Sequence, residues 1–140
     1  FVLSMVLKTI KKFNEQSSFS EKLLPLYRDA EEDKKFVRDL LSKAVKHDKE
    51  HSKLISDKTK NWDVDRIAMV DILLMKLALT ELIHFKSIPV KVTLNEYIEL
   101  SKWYSSPKSK IFVNGVLDKL VLELKSKGDL KKMGRGLLED

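Results

Sequence analysis

Cysteine is absent from the 140 residues, which excludes a disulfide framework and thiolate-ligated zinc or iron-sulfur centres and removes any pointer to an oxidising compartment. Glycine and proline are scarce, four and three in all, too little punctuation for the many turns of an all-β chain. No run approaches the roughly 18 apolar residues of a membrane span. The opening FVLSMVLKTIKKF places its basic residues after the apolar ones and carries no small-residue cleavage site, unlike a secretory signal. The cytoplasm is therefore the expected address. Gly-rich phosphate loops, a G-x-S-x-G elbow and a dinucleotide fingerprint are all missing, so neither an enzyme nor a cofactor is expected.

What is present favours helices. With 43% hydrophobic residues the chain can bury one core, and Leu, Lys, Glu, Asp and Ser dominate the rest. The net charge of +6 is unevenly placed: +4 over residues 1–60, −2 over 61–101 and +4 over 102–140. Within Lys102 to Asn114 there are three lysines and no acid. A local cationic patch attracts phosphate backbones and releases counterions on binding, so nucleic acid is the first partner to weigh. A solubilising lysine surface is the plainer alternative.

Apolar spacing predicts a short first helix through Val2, Met5, Val6, Ile10 and Phe13, ending in polar NEQSSFS. A long helix is predicted over about 33–56, with Val37, Leu41, Ala44, His51 and Ile55 on its inward stripe and Phe36 and Leu40 beside it. Asp63 can cap the next helix, which is apolar almost all round and so expected to be the central one; Lys76, Thr80 and His84 form its single polar stripe, and Asp71 is a lone charge elsewhere. Thr93 and Glu96 read as a T-x-x-E capping box for a following helix. Ser106 as N-cap, Pro107 at the first helical position and Gly128 as closing residue frame the last one. Residues 129–140 read as a flexible tail.

Two stretches invite chemistry. In KIFVNGVLDKL, Asn114-Gly115 is a strong hairpin signal, yet the surrounding apolar residues keep a helical period, and the start and stop signals side with the helix. Gly115 then costs about 1 kcal/mol relative to alanine, and the expected reason is close approach of another helix, with Asn114 a buried partner-seeking amide. HDKEH, His47 to His51, has the H-x-x-E-H spacing of a zinc peptidase class, but no third ligand is assignable and the segment lies in dense surface charge. His51 is expected at the core edge and His47 in water, with no metal. KWYSSPKSKIF is the candidate binding surface: lysines, Trp103, Tyr104 and Phe112 surround a Ser/Pro loop that leads into a helix start, where backbone N–H groups favour anions and aromatics can stack on unpaired bases. The competing reading is that Trp103 and Tyr104 are core.

FVRDLL (36–41), DVDRIAMVDILLMKLALTEL (63–82), IPVKVTLNEYIELSK (88–102) and FVNGVLDKL (112–120) resemble, in order and spacing, successive signatures of the NusB family of bacterial antitermination factors. The resemblance implies an all-α, NusB-like helical bundle of packed subdomains: a 1–35 N-terminal segment, a 36–128 core and the tail. It implies binding of boxA-like single-stranded RNA together with NusE, the small-subunit ribosomal protein S10, within the RNA polymerase antitermination complex. By that resemblance RNA contacts map to Lys102, Lys108, Lys110 and Phe112, the partner face to Asp71 and Lys76, and Asn114 and Gly115 are structural. The family's arginine-rich first helix has no counterpart in residues 1–35, where Arg28 is the first of only four arginines; the chain opens on Phe, and a fragment of a longer protein is one expectation. Tyr97 stands where the family has a small residue. Two alternatives stay open: the NusB-like domain of a ribosomal RNA cytosine methyltransferase, which usually reads FVNAVLR, and a helical module that dimerises through its apolar faces without RNA.

Overall fold

The structure, a computed structural model, describes residues 2–18, 29–60 and 67–138. Among these residues there are six α-helices and no strand: α1 (Val2–Ile10), α2 (Ala30–Lys46), α3 (Asp48–Thr59), α4 (Met69–His84), α5 (Val90–Tyr104) and α6 (Ser109–Lys127). None is long and apolar enough to cross a membrane. The chain divides into two compact units, residues 1–36 and 37–140.

In the first unit α1 stops where the sequence turns polar. Asn14 and Ser17 close a turn through Ser17 N–H to Asn14 O (3.0 Å) and Asn14 N–H to Ser17 Oγ (2.9 Å). Asp29 opens α2 as its side-chain cap, Oδ1 accepting from the amides of Glu31 (3.0 Å) and Glu32 (3.1 Å). Helix α2 thus begins ahead of the predicted Asp33.

In the second unit α4 is the hub, packed against α3, α5 and α6, as its apolar circumference predicts. Met75, Ala78, Leu79 and Leu82 are fully buried, and the first three meet Val113, Val116, Leu117 and Leu120 of α6 in one cluster. The predicted α6 stripe from Phe112 to Leu124 is buried throughout, and Gly128 closes the helix at φ +71°, its amide reaching the carbonyls of Leu124 and Lys125.

Several expectations are corrected. The long helix breaks at His47 into α2 and α3, and Val37 and Leu41 lie on the exposed side of α2 while Ala44 is buried and Leu40 half-buried. Helix α4 begins at Met69 with Ala68 as N-cap; Asp63 lies outside the described residues. Pro89 is the N-cap of α5, which puts Thr93 inside the helix: its hydroxyl donates to Glu81 Oε1 (2.8 Å) rather than capping, and Glu96 is exposed. Tyr97 OH joins the same carboxylate at 3.3 Å. Burial raises the Glu81 pKa against the pull of these hydroxyls, and burial, reinforced by Glu81, raises that of Tyr97. The stretch read as a flexible tail touches the rest of the second unit at several points over 129–138, most of its side chains being exposed. Leu130 lies against the core, Met133 N–H and Lys132 Nζ bond the carbonyls of Lys86 (2.9 Å) and Phe85 (3.1 Å), and Gly136 is buried so closely that a Cβ there would meet Lys86 O at 2.0 Å.

Candidate nucleic-acid interface

The end of α5, residues 105–108 and the first turn of α6 make one continuous surface. Helix α5 stops at Tyr104 because Pro107 lies just ahead and disfavours helix before it. Lys108, not Ser106, is the N-cap of α6. A turn from Ser106 to Ser109 (Ser109 N–H to Ser106 O, 2.9 Å) precedes the helix and absorbs Pro107 and Lys108, the two residues that the predicted start would have made helical.

Phe112 is 8% exposed and part of the core, so it does not offer the stacking face assigned to it. Trp103 and Tyr104 are 80% and 70% exposed, and Ile111 is 77% exposed, so the reading that placed the two aromatics in the core fails. Lys102, Lys108 and Lys110 are all exposed. Lys102 is paired with Glu99 one turn back, whereas among the described residues Lys108 and Lys110 meet no carboxylate. The surface therefore carries two uncompensated cations and an exposed apolar and aromatic group.

Underneath lies a polar node that sequence reasoning missed. Ser109 Oγ, 1% exposed as a residue, donates to Asp71 Oδ2 at 2.7 Å and lies 2.8 Å from Ser106 Oγ and 2.9 Å from Ser105 Oγ; it also accepts the Ser106 amide at 3.1 Å. Asp71 is 3% exposed, in the first turn of α4, where the helix dipole favours a negative charge. Its Oδ1 is buried without a hydrogen-bond partner. The signal in the sequence was an acid in the first turn of a largely apolar helix, away from its polar stripe; its partner, far along the chain, had none.

The two partner-face residues are thereby corrected. Asp71 presents no surface, and Lys76 is engaged by Asp48 Oδ1 at 2.6 Å, linking α4 to α3. Asn114 and Gly115 do not form a packing contact either. Asn114 is exposed and donates to Asp118 Oδ2 (3.0 Å) one turn on, and the position of a Gly115 Cβ is open space to 4 Å.

The HDKEH histidines sit on the other flank. His47 Nδ1 meets Glu50 Oε2 at 3.1 Å, its ring stacks 5.9 Å from that of His51 and lies 4.7 Å from that of His84, and His51 Nδ1 is 3.3 Å from Thr80 Oγ1. His51 is 1% exposed, deeper than an edge position, and its Nε2 has no partner. Among the described residues no three His, Asp or Glu side chains are arranged to hold a metal.

The sequence profile of the NusB family matches residues 3–122, which include all of α2 to α5 and most of α6. The chain belongs to the NusB family. Relatives named transcription antitermination protein NusB include one from Salinibacter ruber, 42% identical over 103 residues (74% of this chain, 64% of that one), and one from Chloroherpeton thalassium, 39% identical over 106 residues (76% and 50%). This NusB-family chain thus spans between half and two thirds of the length of those relatives. A solved structure of T. maritima NusB is similar at a TM-score of 0.65 and 32% identity, over 76% of this chain and 75% of that one. The all-helical NusB-like fold expected from the four sequence blocks is the fold observed.

Proposed function

We propose that the chain acts in transcription antitermination by binding boxA-like single-stranded RNA together with NusE, as a binding protein rather than an enzyme. Family membership supplies the context, and one observation carries the site. Lys108 and Lys110, without acidic partners, flank a loop beside exposed Trp103, Tyr104 and Ile111. Phosphates would sit on the lysines and an unpaired base on Trp103 or Tyr104, a division of labour common to sequence-tolerant single-strand binders. Lys102 adds charge at the margin once RNA competes with Glu99 for it. The NusE-facing surface is left without assigned side chains, since Asp71 and Lys76 are internally committed.

The test is an equilibrium titration of a labelled boxA-like RNA, with NusE present, against the wild-type chain and Lys108→Glu. Charge reversal next to a phosphate is expected to weaken binding at least tenfold at low salt, and progressively less as salt rises. Equal affinity of the two proteins would remove the site assignment.

A further inference from the structure

We propose that Asp71 is a positioning residue for this surface: through Ser109 it fixes residues 105–108 and the first turn of α6 in the conformation that presents Lys108 and Lys110. The inference rests on the RNA-binding reading and adds the group that shapes the site.

Burying a carboxylate is unfavourable unless hydrogen bonds and charge compensate it. Asp71 is compensated by the α4 N-terminus and by one hydroxyl, Ser109 Oγ at 2.7 Å, from 38 residues further along the chain. At 3% exposure it cannot itself reach an RNA strand. Ser109, however, is the residue between the two lysines, and its oxygen is also where the Ser105 and Ser106 hydroxyls and the Ser106 amide converge. One carboxylate on the central helix thus anchors the whole turn. Removing it lets the turn sample more conformations, all but one of which must be given up on binding.

Charge and tether have opposite signs here, which makes the proposal separable from a plain electrostatic role. The negative charge of Asp71 opposes a nearby phosphate, so as a charge alone its loss strengthens binding. As a tether its loss weakens binding. Asp71→Asn removes the charge and keeps an acceptor for Ser109, whereas Asp71→Ala and Ser109→Ala remove the bond.

The experiment titrates a short unstructured single-stranded RNA with the full chain as wild type, as these three variants and as the Asp71→Ala/Ser109→Ala double variant at several salt concentrations, alongside amide hydrogen exchange of the free proteins. Asp71→Ala and Ser109→Ala should each weaken binding about three- to tenfold, less than the full worth of a hydrogen bond to a charged group because only the ordering of the turn is lost. The double variant should be no weaker than either single one, and the salt slope should not change because the same phosphates are contacted. Asp71→Asn should bind at least as tightly as the wild type, and in the two alanine variants exchange should quicken at 105–110 only. Should Asp71→Ala fail to fold, Ser109→Ala carries the test alone. Wild-type affinity in folded Ser109→Ala, or stronger binding by both Asp71 variants, overturns the proposal. No RNA binding by the wild type overturns the RNA reading and this role with it; quickened loop exchange in Ser109→Ala would then leave Asp71 a structural tether only.

Discussion

Phe112, given a stacking role with the binding surface, is buried on the stripe its periodicity assigns it, and Trp103, read alternatively as core, is exposed. Both flank the same loop, Trp103 at the exposed end of α5 and Phe112 on the buried stripe of α6. If Trp103 stacks on a base, Trp103→Ala should weaken RNA binding by about 1–3 kcal/mol while leaving unfolding unchanged, since the ring touches little of the core. A fluorescence titration in a Trp62→Phe background, where Trp103 is the one indole left, checks the same contact directly. Gly115 makes the opposite point. A mid-helix glycine usually marks a close approach, but here a Cβ meets nothing within 4 Å. Gly115→Ala is therefore expected to stabilise α6 by about 0.5–1 kcal/mol, seen as a higher urea midpoint at unchanged m-value. The lysines were legible in the sequence because charge without nearby acids needs no structure to be noticed. The Asp71–Ser109 bond was not, because contacts across a fold leave no local pattern.

Between helices, the clearest device is the seam of α3 and α4. Lys76, Thr80 and His84, visible in the sequence as a polar stripe, meet Asp48, His51 and His47 respectively. What was hidden was the break at His47, which no proline or glycine marks and which lets α3 turn these groups toward α4. The seam also titrates. Burial is the largest cause lowering the His51 and His84 pKa values, and His47 lowers both further, with Lys43 and Lys46 adding to the effect at His84 and Glu50 opposing it at both. Groups held below 6.5 in the folded state take up protons on unfolding. Their contribution to stability is thus fully present above pH 6.5 and falls as the pH drops through the depressed values. Glu81 runs the other way: raised above 4.5 by burial, it favours the fold below that pH and loses this contribution as the pH rises through its folded value. Urea unfolding between neutral pH and about pH 5.5 should show stability declining toward acid, with His51→Gln flattening the decline. An unchanged slope in that variant would place the effect elsewhere.

For the molecule as a whole, the four ordered blocks made the family readable, because the apolar α4 and the α6 stripe dictate which helices pack. The register of the helix ends was less so: Thr93 is drawn inward by Glu81, and the C-terminal stretch is held by Lys86 and Phe85, neither of which a window on the sequence can see. Charge at this scale gives a quantitative expectation. Each phosphate contact with a single strand contributes about −0.7 to the slope of log affinity against log salt, so Lys108 and Lys110 alone should give about −1.4. A titration with a slope several times steeper would assign further phosphate contacts to other cations, the net +4 of residues 1–60 among them.

Asn114-Gly115 has one more consequence, in the chemical ageing of the chain. An asparagine followed by glycine loses its amide when the next backbone nitrogen attacks the side-chain carbonyl, a ring closure that a flexible chain permits. In α6 that nitrogen belongs to a helical peptide unit, and the Asn114 amide is held by Asp118. Succinimide formation then requires the middle of α6 to open. The slow mass shift and acidic charge variant that follow would work as a clock, counting how often the helix that carries Lys110 comes apart.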